Sequence, residues 1–311
     1  MAAAHDPSSG IAFVNGEYLP LLEATIPLLD RGFTRSDVTY DVIHVKDGRF
    51  FRLDDYVERF QASIRGLRMS LDYSKQEIID VLTECVRRSG LRDAYVQMTC
   101  TRGVPSPTNR DPRLCKNRFY AFAQPFVWLA NEEQRRIGLK MVTSSIQRIP
   151  SEAVDQRIKN FHWLDLTMAT YEAYDHEANY PVLLDASGNV TEGPGFNIFG
   201  IREGILITPD HGVFHGMTRR TVLELAEREG LASEIRPIGI EELRDSDEIF
   251  LTSTAGGVMP VTTLDERIYG NGSPGPLTRR LADLYWRAHE EGPYSTFVDY
   301  EAPQPNKAAR S

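Results

Sequence analysis

Residues 157–175 read RIKNFHWLDLTMATYEAYD, and this stretch decides both the fold and the chemistry expected of the chain. Lys159 stands just before a segment whose pattern predicts a helix over residues 162–178. Its neighbours are apolar or aromatic: Ile158, Phe161, Trp163 and Leu164. An amine in such surroundings is partly desolvated, which lowers its pKa and makes it a nucleophile. An ordinary surface lysine is the alternative, and this segment taken alone favours it.

The sequence around this stretch alternates strands with helices, which is typical of an α/β unit. Strands are predicted at LKMVTS, PVLLD, FNIFGI, ILITP, EIRPI, EIFLTS and VMPVTTL, and helices near residues 162–178, 218–229 and 276–290. Residues 129–136, LANEEQRR, read as a solvated linker in front of this unit. We therefore expect a C-terminal α/β domain over residues 137–298 that contains Lys159.

The first half of the chain predicts an α+β N-terminal domain over residues 1–128. Asn15-Gly16 and Asp47-Gly48 are type I′ turn signals between extended segments. Two further strands, AYVQMTCT and RFYAFAQPFVW, flank the loop RGVPSPTNRDPRLCKN. A loop of this length that is rich in proline and arginine is either functional or disordered. Residues 299–311 are expected to be a frayed tail.

Two helices are predicted between these strands. The first covers residues 55–69, carries an apolar stripe and has Asp54 as its expected N-cap. The second begins at Ser74, where Glu77 completes a capping box, and ends before Gly90.

Composition excludes several classes of protein. The 311 residues include 35 Lys and Arg against 44 Asp and Glu, a net charge of −9 that argues against binding to duplex nucleic acid. No apolar run is long enough to span a bilayer, and the start MAAAHDPSSG lacks the pattern of a secretory signal. The three cysteines are scattered without a CxxC pair, which favours a cytoplasmic protein.

The commonest catalytic signatures are missing. The sequence contains no GxxxxGK[ST], HExxH or GxSxG motif. His211 and His215 flank HGVFH, but with no third ligand nearby a surface loop is the better interpretation than a metal site. Lysine occurs at only six positions, so a mechanism that needs a lysine amine has few candidates.

Glu192 favours the interpretation of Lys159 as a functional residue over that of an ordinary surface lysine. It lies in NVTEGPGFNIF, in a Gly/Pro turn after a strand, and the intervening helix and strand would bring it back to the sheet edge that carries Lys159. A glutamate in a turn is usually solvated, but the glycines that follow allow close approach of a ligand to the backbone.

Together these segments resemble the class IV, or fold type IV, pyridoxal-phosphate aminotransferases, and most closely the (R)-selective amine transaminases. The stretches that carry the resemblance are SDVTYDVIHVKDGRFFRLDDYVERF, YVQMTCTRG, IKNFHWLDL, VTEGPGFNIF, HGMTRRTVLELA and TSTAGGVMP. They run in order from about residue 30 to 290, so the resemblance covers nearly the whole chain. It implies the D-amino-acid-aminotransferase-like fold, pyridoxal 5′-phosphate as cofactor and a homodimer.

The resemblance also implies roles for individual residues. Lys159 would form the covalent imine link to the cofactor aldehyde and then move the substrate proton. Glu192 would pair with the pyridinium nitrogen, and Arg59 would bind the phosphate. Five further cofactor contacts come from a helix start, a glycine-rich turn and an aromatic side chain: Met217, Thr218, Ser253, Thr254 and Trp163.

The substrate side would be lined by alternating residues of two strands, Tyr40, Val42 and His44 on one and Tyr95 and Gln97 on the other. Branched-chain enzymes of the family carry an arginine where this chain has Gln97, whereas the fungal amine enzymes often carry glutamate. The D-amino-acid pattern SPRxH is also absent. Arg35 and Ala255 complete the implied substrate set, and a loop arginine, Arg110 in preference to Arg113, would bind the keto-acid carboxylate.

The sequence thus predicts a transaminase that moves an amino group from an (R)-primary amine or D-amino acid to a keto acid such as pyruvate, by a ping-pong mechanism. The alternatives are a D-amino-acid or branched-chain aminotransferase of the same family and, further off, an aminodeoxychorismate-lyase-like lyase. A protein of this fold that binds the cofactor without catalysis also stays open, although the presence of both Lys159 and Glu192 argues against it.

Overall fold

The computed structural model describes residues 6–108 and 110–302. Its strands are, in chain order, β1 (Ile11–Val14), β2 (Glu17–Pro20), β3 (Val38–Lys46), β4 (Arg49–Phe51), β5 (Ala94–Thr101), β6 (Arg118–Pro125), β7 (Leu139–Gln147), β8 (Tyr180–Leu184), β9 (Glu192–Gly193), β10 (Phe196–Arg202), β11 (Ile205–Thr208), β12 (Ser233–Ile235), β13 (Glu248–Ser253), β14 (Gly257–Leu264), β15 (Arg267–Ile268) and β16 (Ser295–Phe297). Its α-helices are α1 (Arg31–Arg35), α2 (Leu53–Gly66), α3 (Lys75–Ser89), α4 (Glu132–Ile137), α5 (Leu164–Asp175), α6 (Met217–Arg228), α7 (Ile240–Arg244) and α8 (Pro276–Glu291).

The chain divides into two compact units. The first contains the described residues of 1–127, 158–161 and 292–311, and the second contains residues 128–157 and 162–291. The short segment with Lys159 therefore groups with the first unit, although the lysine was expected in the C-terminal domain. The predicted domain boundaries themselves stay a prediction. The predicted tail lies outside the described residues from position 303 onward, and so do the first five residues.

The first unit is built on a seven-stranded sheet with the order β16-β4-β3-β5-β6-β1-β2, antiparallel throughout. Both predicted hairpins are confirmed: β1 pairs with β2 around Asn15-Gly16, and β3 pairs with β4 around Asp47-Gly48. All four turn residues have positive φ, from 50° to 84°. This is the geometry of type I′ turns, which matches the twist of the strands that they join.

Helices α2 and α3 pack on this sheet, α2 against β3 and α3 against β6. The apolar stripe predicted for the first helix is buried, with Val57 and Phe60 0% exposed and Ile64 5% exposed. The capping box of α3 is present as predicted, since Ser74 Oγ accepts from the Glu77 N–H and Glu77 accepts from the Ser74 N–H. Gly90 ends α3 in the left-handed conformation.

The expectation that Asp54 caps α2 is wrong. The helix begins at Leu53, which is 1% exposed, and its N-cap is Arg52 in the left-handed conformation with φ 59°. The Arg52 N–H donates to Tyr294 O at 2.7 Å, and its Nε donates to Asp55 at 2.8 Å. These contacts fix the chain at Arg52 and draw Leu53 into the core, so the helix starts before Asp54 supplies a cap.

The segment after residue 291 is held to the first sheet by contacts between arginines and aromatic rings. Strand β16 pairs with β4. The guanidinium carbons lie 3.8–4.4 Å from the ring centroids in three pairs: Arg49 with Phe297, Arg52 with Tyr294, and Arg92 with Tyr300. Such contacts combine charge–quadrupole attraction with burial of the arginine stem.

The second unit holds a mixed sheet with the order β12-β11-β10-β13-β14-β7-β8, in which β9 also pairs with β10 and β15 with β14. Strand β7 runs parallel to β8 and β14, whereas β10, β13 and β14 are antiparallel. Its core is apolar and closed to solvent, with 3% exposure or less at Leu139, Val182, Ile198, Leu251 and Met259. The predicted α/β pattern of this half is confirmed in its strands and in the three longer helices, whose ends lie within three residues of those expected.

The residues predicted to be a solvated linker form helix α4. Asn131 and Gln134 make a reciprocal capping box at its start. Arg135, in the last turn, lies 3.5 Å from the ring centroid of Trp128. The glutamates face solvent as expected, but these local contacts order the backbone. Within the described residues, none of the helices has the length and apolar character that crossing a membrane requires.

Candidate active site

Lys159 is anchored through its backbone to the start of β3. Its carbonyl oxygen accepts from Thr39 Oγ1 at 2.7 Å and from the Tyr40 N–H at 3.3 Å. Its Nζ lies 4.7 Å from the centroid of the Tyr40 ring, so the amine has an aromatic neighbour. The expected apolar shell is only partly present, because Leu164 is 74% and Phe161 41% exposed. The Tyr40 ring of β3 is thus an aromatic neighbour that the local sequence of the lysine does not supply.

The residues expected to line the substrate side share one face of the first sheet. Val42 lies opposite Gln97 and His44 opposite Tyr95 in the pairing of β3 with β5. Tyr95 OH donates to Gln97 Oε1 at 3.3 Å, and Gln97 Nε2 donates to Thr99 Oγ1 at 3.1 Å. Burial, with a smaller effect of the Asp41 charge, raises the pKa of Tyr95 to about 12. Tyr95, Gln97 and Thr99 are therefore polar and uncharged near pH 7.

Arg59 lies on α2, against the other face of β3. Its Nε and Nη2 each donate at 2.8 Å to one oxygen of Asp41, whose side chain is fully buried. Burial alone would lower the pKa of Arg59, but the charge and hydrogen bonds of Asp41 raise it. Asp41 therefore fixes the orientation of the guanidinium that is expected to bind phosphate.

The other predicted arginines lie at the surface of the first unit. Arg35 ends α1 and donates from Nη1 to Thr34 O. Arg110 is exposed and follows Asn109, which lies outside the described residues. Arg113 has a side chain 86% exposed and pairs with Asp111 at 2.5 Å, which lowers the pKa of that carboxyl to about 2. No carboxylate-binding role for these arginines is visible in this arrangement, and the role stays a prediction.

In the second unit, Glu192 is the centre of a buried charge cluster. It lies on the short strand β9, paired with β10, instead of in an open turn, and is 5% exposed. Its Oε1 accepts from Arg148 Nη2 at 3.1 Å and Nε at 3.3 Å, and its Oε2 accepts from the Phe214 N–H at 2.8 Å. Arg148 also donates to Asp165 at 2.5 Å. A carboxylate held in this way is fixed in position.

The start of α6 has the backbone features that are expected of an anion site. Its N-cap is Gly216, so no side chain caps the helix, and the first residues Met217 and Thr218 are buried. A side chain at position 216 would overlap Asn197, because a Cβ there would lie 2.2 Å from Asn197 Oδ1. The free N–H groups and the helix dipole favour a phosphate at this point. His211, in the preceding turn, is exposed and contacts Asp210 at 2.8 Å.

The turn after β13 is the second predicted phosphate segment. Ser253 Oγ donates to Gly195 O at 2.8 Å and accepts from the Ala255 N–H at 3.2 Å. Thr254 and Ala255 are half-buried. The hydroxyl of Ser253 thus links this turn to the glycine-rich segment that follows Glu192.

Trp163 is half-buried at the N-cap of α5 and packs on the small apolar cluster around Leu166 and Leu183. A Cβ at Gly195, where φ is +83°, would lie 3.6 Å from its ring. The indole is therefore positioned next to the segment that carries Glu192, in agreement with both packing and a role beside the cofactor.

Sequence reasoning missed Asp41, Arg148 and Asp165. One signal was available, since strand alternation places Asp41 on the helix-covered face opposite Tyr40, where a carboxylate needs a cation. Arg148 stands between Gln147 and Ile149, directly after β7, and nothing in the local sequence indicates that it is buried or which residue is its partner.

The comparisons with known proteins identify the family of the chain. A profile of the amino-transferase class IV family matches residues 39–264. The chain is 32% identical over 276 residues to a putative branched-chain-amino-acid aminotransferase of Methanocaldococcus jannaschii, covering 88% of this chain and 94% of that protein. It is 30% identical over 271 residues to a D-alanine aminotransferase of Bacillus licheniformis, covering 86% of this chain and 93% of that protein.

Solved structures show the same fold. A branched-chain aminotransferase of Thermoproteus uzoniensis with norvaline has a TM-score of 0.86 and 26% identity, covering 93% of this chain and 99% of that one. The branched-chain amino acid aminotransferase of Thermobaculum terrenum in its pyridoxal-phosphate form has a TM-score of 0.83 and 26% identity, covering 95% and 99%. The profile match, the relatives and the fold agree: the chain belongs to the amino-transferase class IV family and is a pyridoxal-phosphate-dependent aminotransferase of fold type IV.

Proposed function

We propose that this aminotransferase takes its amino group from an (R)-primary amine or a D-amino acid and passes it to a keto acid such as pyruvate, in a ping-pong reaction. The observation that carries the proposal is the sheet face of Tyr40, Val42, His44, Tyr95 and Gln97. These positions bear no arginine, so the strands offer no fixed cation for an α-carboxylate. A sheet face of this kind suits a donor without a carboxylate.

The reacting groups have distinct roles in this proposal. Bound pyridoxal phosphate supplies the aldehyde and the electron-accepting ring. The Lys159 amine holds the cofactor and moves the proton at the substrate carbon, while Thr39 and Tyr40 hold its backbone. The Glu192 carboxylate, held by Arg148 and the Phe214 N–H, keeps the ring nitrogen protonated.

The phosphate contacts come from charged and backbone groups. Arg59, oriented by Asp41, supplies a guanidinium. The N–H groups at Met217 and Thr218 and the turn with Ser253 and Thr254 supply hydrogen-bond donors. Trp163 packs beside the ring.

Two sets of residues would complete the substrate site. Arg35 and Ala255 line it, and Arg110 binds the carboxylate of the keto acid by moving with its loop. A mobile arginine suits an enzyme that must accept an apolar donor and an acidic acceptor in turn.

A homodimer is part of the proposal. The segment after β2 exposes large apolar side chains within twelve residues, with 49–72% exposure at Leu22, Ile26, Leu28, Leu29 and Phe33. Such a patch is unusual on a free surface and supports burial against a second copy. Light scattering of the wild type and of a Leu28→Glu, Leu29→Glu variant tests this, since the variant is expected to be monomeric.

The names of the relatives favour a second candidate, a branched-chain or D-amino-acid aminotransferase. A lyase of the same family is a more distant alternative. A donor panel separates the branched-chain candidate from the proposal: (R)-1-phenylethylamine, D-alanine and L-leucine are each mixed with the protein, and the cofactor absorbance is followed. A rapid loss of cofactor absorbance is expected with the amine or with D-alanine. A rapid loss with leucine alone would overturn the substrate assignment. A Lys159→Ala variant should show no rapid loss with any donor.

A further inference from the structure

Helix α8 lies behind both backbone segments that are proposed to hold the cofactor phosphate. Tyr285 OH lies 3.3 Å from Thr218 Oγ1 at the start of α6. Both side chains are closed to solvent, Tyr285 1% and Thr218 2% exposed. The next residue along α8, Trp286, packs against Gly257, at the end of the turn that begins with Ser253.

The contact at Gly257 is close enough to exclude other residues. Its φ is +66°, and a Cβ there would lie 2.8 Å from Trp286 and 3.0 Å from Tyr285. The ring of Tyr285 is also fixed from its other sides by edge contacts with Trp286 at 5.2 Å and His289 at 4.7 Å. The position of the Tyr285 hydroxyl is therefore set by the packing of α8.

The donors and acceptors present give the hydrogen bond between these hydroxyls a direction. A threonine hydroxyl has one proton to donate and can accept through two lone pairs. If Thr218 donates its proton to a phosphate oxygen, its Oγ1 is left to accept, and Tyr285 is the donor at 3.3 Å. In a site that is closed to water, such a chain strengthens the bond to the anion.

We propose that Tyr285 is a positioning residue for the cofactor phosphate, acting through the hydroxyl of Thr218. This rests on the proposed function, in which the Thr218 N–H contacts the phosphate, and it adds the Thr218 hydroxyl as a second contact. Tyr285 itself touches neither the ring nor the substrate in this proposal. Its effect is therefore confined to ligands that carry a phosphate.

The test compares pyridoxal phosphate with pyridoxal, which lacks the phosphate. Full-length protein is stripped of cofactor and titrated with each, in the wild type and in the Tyr285→Phe, Thr218→Val and double variants. Tyr285→Phe is expected to weaken the binding of pyridoxal phosphate about fivefold, which corresponds to the loss of one neutral hydrogen bond. The binding of pyridoxal should be unchanged. The double variant should bind no more weakly than Thr218→Val alone.

Tyr269→Phe is the matched control, because Tyr269 is also buried in the second unit and donates to Arg244 O at 3.0 Å. It should change neither affinity. The inference is overturned if Tyr285→Phe lowers the affinity for pyridoxal as much as that for pyridoxal phosphate, or if it lowers neither affinity. If Thr218→Val binds pyridoxal phosphate as the wild type does, the Thr218 hydroxyl does not contact the phosphate and the inference fails, while the proposed contact through the Thr218 N–H is unaffected. If Thr218→Val lowers the affinity for pyridoxal phosphate and Tyr285→Phe does not, the inference about Tyr285 is wrong, but the proposed function is not affected.

Discussion

Arg148 holds Glu192 from one side while Asp165 holds Arg148 from the other, with Nη2 of the arginine 3.1 Å from Oε1 of the glutamate. Both Arg148 and Glu192 have side chains 7% exposed. The carboxylate that is proposed to face the ring nitrogen is thus part of a buried row of alternating charges. Breaking a buried pair on one side leaves a charge without compensation.

Arg148→Gln should therefore damage both stability and turnover. The loss of one partner from a buried pair typically costs about 3–5 kcal/mol of unfolding free energy. We also expect slower loss of cofactor absorbance with a saturating donor, because Glu192 is no longer fixed. Urea unfolding and single-turnover kinetics measure the two effects. Arg157→Gln, which removes an exposed arginine paired with Asp155, is the control and should change neither; a wild-type rate in Arg148→Gln would contradict the account.

Arg59 and Asp41 allow the structural and cofactor roles of one arginine to be separated. Arg59→Leu leaves Asp41 buried without its cation and should cost about 3 kcal/mol or more. The double variant Asp41→Leu, Arg59→Leu replaces the pair with apolar groups and should recover most of that stability. Its affinity for pyridoxal phosphate should stay as weak as in the single variant, because the phosphate contact is still missing.

These two properties are measured by urea unfolding and by cofactor titration. If stability and cofactor affinity recover together in the double variant, Arg59 is a structural residue and not a phosphate ligand.

Gln97 is expected to decide between donors with and without a carboxylate. Gln97→Arg places a guanidinium on the sheet face of Val42 and Gln97, and a charged hydrogen bond of this kind should favour amino-acid donors over (R)-1-phenylethylamine by about 10- to 100-fold in relative kcat/KM. The matched control is Gln124→Arg, which adds an arginine opposite Tyr95 on β6. An unchanged donor ratio in Gln97→Arg, or an equal change in the control, would remove Gln97 from the substrate site.

The raised pKa of Tyr95 predicts a loss of stability in alkali. The folded protein keeps the phenol protonated up to a pKa of about 12, whereas in the unfolded chain the group has its usual pKa of 10.0. The unfolded state therefore binds fewer protons between these values, so the stabilisation is complete below pH 10 and is lost as the pH rises towards 12.

Urea midpoints measured across this range should fall less steeply in Tyr95→Phe than in the wild type. Tyr171→Phe, which changes an exposed tyrosine, is the control. Parallel pH profiles for Tyr95→Phe and the wild type would contradict the burial of this phenol.

Local signals in the sequence predicted the local structure well. The Asn15-Gly16 and Asp47-Gly48 hairpins and the Ser74–Glu77 capping box form as predicted because each depends on a few adjacent residues. Strand alternation likewise placed Val42 and Gln97 on one face.

Features that depend on tertiary contacts could not be predicted from local sequence signals. Arg52 replaces Asp54 as the cap because Tyr294, 242 positions away along the chain, holds its backbone. Arg148 and Glu192 are separated by 44 residues, and Lys159 meets Tyr40 from 119 residues away. The partners of such residues lie far away in the sequence, so they are identified only from the folded structure.

The most direct test of the central claim is the specificity of the wild-type enzyme for the two enantiomers of 1-phenylethylamine, with pyruvate as acceptor. We predict that the (R)-amine is converted, with a kcat/KM at least comparable to that of D-alanine, and that the (S)-amine is not. Turnover of L-leucine, with neither amine and no D-alanine accepted, would contradict the proposed donor and make this chain a branched-chain aminotransferase.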